Sequence, residues 1–405
     1  MRILLVNHYA GAPQLGMEYR PYYMAREWVK LGHKVWIVAA EHSHLRQTPV
    51  VPGLQEIDGI QYLWVSTPVY KCNGFRRALN MWFFCNNLKK LSKWVNTEVR
   101  PDVVIASSTY PMDIWPCRYL AKQNGARLVW EVHDLWPLSP MELGGMPWWH
   151  PFILWVQRAE DAACRSADAV VSLLPAADRH LVTRGMNIKK FHYIPNGINP
   201  LDWGHVNAPM PETHRRLLDK LKSQGRWILG YTGSHGIANA MHVVIDAFSL
   251  LKDTRASLVL VGQGPGKDQL IQRAYENGAD IHFLPPVPKQ AIPPILDACD
   301  ALYCGCKNKN IYQFGVSPNK ITDYAMAAKP IIHAVNAPRD LVEDAGCGIV
   351  VPPENPEELA SAVRRLMTCT EAERMKMGQR GRDYVVKHHN YSILAHQFLD
   401  VVNHK

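Results

Sequence analysis

At 405 residues the chain is too long for one ordinary hydrophobic core and fits two α/β domains of about 150–200 residues each. With 47% hydrophobic and 20% charged residues it reads as globular, which excludes a disordered chain. A net charge of +9 and a pI near 9.0 ask for an anionic partner such as a nucleotide or an acidic membrane surface; with no basic low-complexity arm, nucleic acid is the weakest choice.

Nine cysteines, at Cys72, Cys85, Cys117, Cys164, Cys299, Cys304, Cys306, Cys347 and Cys369, are odd in number and irregular in spacing. Met1 runs straight into the apolar Ile3–Val6, too short and too early for a secretory leader, so reduced thiols in a cytosolic protein are expected. Cys299, Cys304 and Cys306 lack a second Cys/His pair at ligand spacing, so no metal site is expected there. The longest uncharged apolar stretch, residues 143–157, falls short of the roughly 20 residues of a membrane span and contains Pro147 and Pro151.

In chain order, residues 2–7 predict a buried parallel strand, followed by a loop from Gly11 to Gly16 and a helix over about 19–31. Gly32 closes a short turn into a strand at 35–39, and further strands are expected at 61–65, 103–106, 128–132, 169–172 and 192–194. The Pro-, Asn- and Asp-rich stretch 199–212 reads as a linker. A second alternation follows: helix 213–225, strands at 227–231, 257–261, 281–284, 301–304, 330–334 and 349–351, helix 356–367, and an amphipathic tail near 392–402. Alternating β and α segments predict two parallel sheets, each covered on both faces.

Ligands of such sheets bind beyond the carboxyl ends of the strands. Three segments of the second half end there. Residues 228–240, with Gly233, Ser234, His235 and Asn239, form a strand, a small-residue loop and a helix start. Gly262 and Gly264 follow the next strand. Exposed N–H groups in such loops suit a diphosphate, although an ordinary βα turn reads the same way. The third segment, Gly315–Pro330, is expected to open a helix capped by Ser317 and Asn319, with Lys320 and Asp323 on one face.

Together with Ile194–Ile198, Val132–Pro137 and the Gly11–Arg20 loop, these segments resemble the retaining GT-B glycosyltransferases of family 4 over nearly the whole chain. More narrowly they are similar to the bacterial polysaccharide and O-antigen subgroup of N-acetyl-L-fucosamine transferases. The resemblance implies an α/β GT-B fold, two doubly wound Rossmann-like domains facing each other across a cleft. Residues 1–200 would bind the acceptor and 201–387 the donor, with a helix near 388–405 packing back on the first domain. It implies retaining transfer of a sugar, a UDP-linked N-acetylated sugar by analogy, to a saccharide acceptor, lipid-linked, in surface polysaccharide biosynthesis. The alternative on the same fold is a sugar-nucleotide 2-epimerase.

By the same resemblance His133 and Lys320 would act at the reacting centre. Gly233, Ser234, His235, Asn239, Gly262, Gly264, Val316, Ser317, Pro318, Asn319, Lys320 and Asp323 would hold the donor; Gly11, Gly16, Glu18, Arg20 and Asp134 would hold the acceptor. A loop-capping role for His133 and a solvated helix start at Glu18 and Arg20 stay open. No cofactor and no metal are implied, since no Asp-x-Asp pair is present and helix N-termini with Lys320 can carry the charge. The chain departs from the family at Ser234 and Asn239, where an Arg and a Lys are usual, and at Gly315, where a glutamate is usual; Lys320, the amides of 316–320 and His235 are expected to compensate. Two aromatic segments, 146–156 and 75–94, the second with Arg76, Arg77, Lys89, Lys90 and Lys93, suit either an anionic bilayer or a buried core.

Overall fold

The structure, a computed structural model, describes residues 1–70, 74–205 and 208–403. Cys72, residues 206 and 207 of the expected linker, and residues 404 and 405 of the expected last helix lie outside the described residues. The chain divides into two units, Met1–Asn196 with Tyr391–Lys405, and Gly197–Asn390.

The first unit holds eight strands, β1 (Arg2–Val6), β2 (Lys34–Ala40), β3 (Gly53–Ile57), β4 (Ile60–Val65), β5 (Val103–Ala106), β6 (Arg127–Val132), β7 (Ala169–Ser172) and β8 (Phe191–Tyr193), in the order β3-β4-β2-β1-β5-β6-β7-β8. All pairs are parallel except β3 with β4. β5 and β7 are buried at every residue, as strands covered on both faces must be. The sequence reading missed β3, whose Leu54, Gln55 and Glu56 are exposed. Its signal was the turn: Asp58 and Gly59 both have positive φ (51° and 78°), as a two-residue hairpin requires.

Helix 20–30 starts with Pro21 in its first turn, where a missing N–H costs nothing. Its outer face receives helix 391–403. Trp28 Nε1 donates to Ala395 O at 3.1 Å, the Trp28 and Phe398 rings meet edge to face at 5.2 Å, and Tyr23 stacks on Tyr391 at 4.9 Å. Leu394, Ala395, Phe398, Leu399, Val401 and Val402 are all buried there. At about 1.5–3 kcal/mol for each large apolar side chain, this helix contributes substantially to the first unit.

The second unit has six parallel strands, β9 (Trp227–Thr232), β10 (Ala256–Val261), β11 (Ile281–Leu284), β12 (Ala301–Gly305), β13 (Ile331–Ala334) and β14 (Gly348–Val351), in the order β11-β10-β9-β12-β13-β14. The order reverses between β9 and β12, and in the first unit between β1 and β5. Those switch points are where open α/β sheets bind ligands. Helix 371–388, also absent from the sequence reading, begins with a capping box between Thr370 and Glu373. Among the described residues no helix is long and apolar enough to cross a membrane.

Candidate active site

In the first unit the polar residues beyond β1, β5 and β6 form one connected cluster. Glu131 sits among the apolar residues 128–132 of β6 and is 2% exposed. Its Oε1 accepts from Arg20 Nε at 3.0 Å; its Oε2 accepts from Ser107 Oγ at 2.6 Å and lies 3.3 Å from His133 Nε2. Ser107 Oγ is also 3.0 Å from His133 Nε2, and Asn7 reaches the same hydroxyl from β1. Burial pushes the Glu131 carboxyl up, but the Arg20 charge and the His133 and Ser107 hydrogen bonds outweigh it and hold it near 2. Burial opposes charge on His133 as well; its hydrogen bond and charge interaction with Glu131, then Glu18, raise its pKa above the ordinary value. The result is an imidazole at a strand end whose protonated form is favoured by Glu131 and which is anchored from below through Nε2.

Several acceptor expectations change. Arg20 is buried, with its guanidinium spent on Glu131 and on the carbonyls of Ile194 and Pro195, so it positions Glu131 and does not reach out to a ligand. Asp134 is exposed, and the residue that orients His133 is Glu131. Gly11 and Gly16 face each other: a Cβ on Gly11 would meet Gly16 O at 1.8 Å, so these glycines close the loop upon itself. Glu18 lies beside His133, Asp134 and Glu131, and burial raises its pKa. Glu131 and Ser107 were missed by sequence reasoning; a carboxylate inside the apolar run 128–132 was the available signal.

In the second unit the loop after β9, the loop after β10 and helix 319–326 meet. Lys320 Nζ donates to Tyr231 Oη at 2.9 Å and to Asn239 Oδ1 at 3.0 Å, and lies 4.4 Å from the centre of the Tyr231 ring. Tyr231 Oη donates to Ser234 O, as does Asn239 Nδ2, which closes a ring of contacts around the loop. Burial lowers the Lys320 pKa and the Cys304 thiol opposes that shift. Gly262 (φ 154°) approaches so closely that a Cβ would stand 1.9 Å from Gly233 O, and one on Gly264 would stand 2.6 Å from the His235 backbone. Only glycine lets these two loops interlock.

Val316 and Ser317 lead into the helix, whose N-cap position is Pro318 rather than the expected Ser317 or Asn319, because the helix begins at Asn319 itself. Lys320 and Asp323 do not work as a pair. Lys320 turns toward β9, whereas Asp323 accepts from Lys289 Nζ at 3.0 and 2.7 Å. Below them Cys304 and His333 are cross-strand partners on β12 and β13, and His333 Nδ1 lies 2.6 Å from Asp340 Oδ2. Among the described residues no three His, Cys, Asp or Glu side chains gather as a metal-holding group.

The aromatic segments divide. Trp148 and Trp149 are 68% and 62% exposed, while Trp155 is partly buried and stacks on Trp115. In helix 75–90, Met81, Phe84 and Leu88 face inward, Phe75 and Trp82 face outward, and Arg77 lies over Tyr9.

Comparison with known proteins agrees with this architecture. Residues 16–200 match the model of Glycosyltransferase Family 4, and residues 216–384 that of Glycosyl transferases group 1. WcaI of Escherichia coli strain K12, named for glycosyl transfer in colanic acid biosynthesis, is 24% identical over 257 residues; the match spans 62% of this chain and 62% of that protein. Anabaena HepE, solved with UDP and glucose, superposes at a TM-score of 0.69 with 14% identity, covering 100% of both chains. Sucrose-phosphate synthase from Thermosynechococcus elongatus gives 0.75 with 15% identity over 99% of this chain and 98% of that one. The E. coli trehalose-6-phosphate enzyme bound to UDP-2-fluoro glucose gives 0.72 with 12% identity over 100% of both. Identities this low carry the fold, and the two family models carry the class: the chain is a GT-B glycosyltransferase that joins a family 4 half to a group 1 half.

Proposed function

We propose that the protein is a retaining glycosyltransferase that moves a sugar from a nucleotide-sugar donor, a UDP-linked N-acetylated sugar, to a lipid-linked saccharide in bacterial surface polysaccharide biosynthesis. The observation that carries the reading is Lys320, held at the β9–β12 switch point on neutral partners and, among the described residues, on no carboxylate. A cation so placed matches the charge that develops on a departing diphosphate. Lys320 bonded to Asn239 also brings to the loop, from helix 319–326, the charge that the loop itself lacks. UDP is favoured by HepE and the E. coli trehalose-6-phosphate enzyme, both solved with UDP ligands. WcaI favours a polysaccharide product.

His133, anchored on Glu131 with its pKa raised, would meet the donor sugar, and Glu18 beside it an acceptor hydroxyl. No metal is required on this reading, because Lys320 and backbone amides carry the charge, and activity should survive EDTA. Exposed Trp148 and Trp149, with the net positive charge, suit docking at the inner face of the cytoplasmic membrane.

A thermal-shift panel of UDP, GDP, ADP and dTDP sugars tests the donor. Ligand at 100 times its Kd stabilises the folded state by about 2.7 kcal/mol, so UDP sugars should stand out. If none of the four raises Tm, the donor reading fails. Product analysis with and without a saccharide acceptor then separates transfer from epimerisation.

A further inference from the structure

His235 lies in the loop after β9, held by its backbone: its N–H donates to Gln263 O at 3.0 Å and its carbonyl accepts from Gly266 N–H at 3.1 Å. The side chain is fully buried, yet neither Nδ1 nor Nε2 has a hydrogen-bond partner. Among the described residues no other histidine has both ring nitrogens buried and unpartnered; His8 and His214 each lack one partner only. A buried imidazole without a partner costs free energy, and such a group asks for an explanation.

Its surroundings supply one. The ring packs near Tyr231 and Phe283, with centroids 6.0 Å from each. Nε2 faces Gly262, where a Cβ would come within 3.4 Å. The charged groups that act on it are Lys267, from helix 267–277, and Lys320, from helix 319–326; the titratable neighbour on β9 is Tyr231, a phenol whose pKa is raised. No carboxylate is among them. Burial first, then the two lysines, hold the imidazole down to about 4, so it is neutral at pH 7. It therefore cannot stand in for the missing loop cations while the site is empty.

We propose that His235 is a phosphate ligand of the donor site that takes up a proton together with the nucleotide-sugar diphosphate. The inference rests on the donor reading above. Lys267 Nζ is held on the carbonyls of Gly262 and Leu284, so a diphosphate bound at these loops beside Lys320 opposes the positive field of both lysines on the imidazole and provides an oxygen for its N–H. The proton comes from solvent and returns to it when the nucleotide leaves. Since the bound state holds the proton more tightly, affinity rises as pH falls from the pKa of the complex toward that of the free site, by up to tenfold per pH unit for one linked proton.

The experiment is calorimetry of UDP-N-acetylglucosamine, GDP-mannose and dTDP-glucose from about pH 5.5 to pH 8, the range around an ordinary histidine, in buffers of different ionisation enthalpy. These diphosphates do not titrate in that range, so the proton count belongs to the protein. The wild type should take up about one proton on binding, with at least tenfold tighter binding at the acid end. His235→Asn should bind without that uptake and with a flat pH profile. Nitrogen-15 NMR of the wild-type imidazole should show it charging when the nucleotide is added, which covers the case of an unstable variant. Binding with an equal proton count in the wild type and His235→Asn, or an imidazole that stays neutral in the complex, overturns the inference and leaves the donor reading intact. No binding of any of the three overturns both.

Discussion

The clusters at the two switch points use similar groups and balance them differently. Around Glu131 a buried carboxylate meets a guanidinium, a hydroxyl and an imidazole, all from the first unit. Around Lys320 an ammonium meets a phenol, an amide oxygen and a second lysine's field on His235, and the nearby carboxylate, Asp323, is taken by Lys289. The first cluster is neutralised and serves to position; the second carries unneutralised positive charge, which is the state of a site awaiting an anion. A sequence census of charges would not separate them, because the difference lies in which partner each charge finds.

The largest effect should come from breaking the neutralised cluster. Arg20→Ala takes the guanidinium from a buried carboxylate and leaves it only Ser107 and His133, and urea unfolding should report a loss of about 3–5 kcal/mol, with Arg20→Met/Glu131→Leu recovering most of it. Acid probes the same cluster. The Glu131 carboxyl is held near 2 against an ordinary 4.5, so its stabilisation is complete above the ordinary value and should fade as pH falls toward 2. A wild type no more acid-labile than the Arg20→Met/Glu131→Leu protein would contradict this.

The second unit has its own closed pair, and it should fail in the opposite direction. Against burial, the charge interaction with the Cys304 sulfur and the Asp340 hydrogen bond raise His333 to about 10. Its contribution is complete below the ordinary histidine value and should be lost as pH rises toward 10. Asp340 also accepts from the backbone N–H groups of Val342 and Glu343 as a helix cap. Asp340→Ala should cost about 3 kcal/mol at neutral pH, falling at the alkaline end to the roughly 1 kcal/mol of the lost cap, in denaturation curves followed across pH.

Lys320→Ala sharpens the contrast, since the loss should fall on the ligand. Calorimetry should show UDP binding weakened by about 1.5–3 kcal/mol, the worth of a charge-assisted hydrogen bond, with Tm little changed. The smallest effect on folding is expected at Trp148 and Trp149. Serine at both should move stability by no more than about 0.5 kcal/mol, while flotation with anionic liposomes at low salt should be lost. Unchanged flotation would remove these tryptophans from any membrane role.

Much of the framework was legible because buried parallel strands are nearly unbroken apolar runs between turn residues. The predicted 103–106, 169–172 and 281–284 coincide with β5, β7 and β11. β3 escaped because an exposed edge strand carries polar residues, and helix 371–388 because its surface is highly polar. The donor loops were found from their glycines. What could not be read were the partners. Nothing in the spacing of Arg20 and Glu131, 111 residues apart, foretells an ion pair, and nothing in the i, i+3 spacing of Lys320 and Asp323 foretells that Lys289 would claim the acid. Pairing across elements depends on strand order, which periodicity along the chain does not encode.

Helix 391–403 belongs to the first unit although the whole second unit precedes it in the chain. During synthesis the first 196 residues therefore leave the ribosome without the helix that covers Trp28 and Tyr23, and the second unit, a continuous segment, can fold before that cover exists. An apolar face on helix 20–30 stays open to chaperones, or to the same face of another nascent chain, for as long as 194 intervening residues take to be made. A stop codon anywhere in the second unit would therefore damage the first, and yield from truncated genes should depend less on where the second unit is cut than on whether residues 391–403 are supplied, even as a separate peptide.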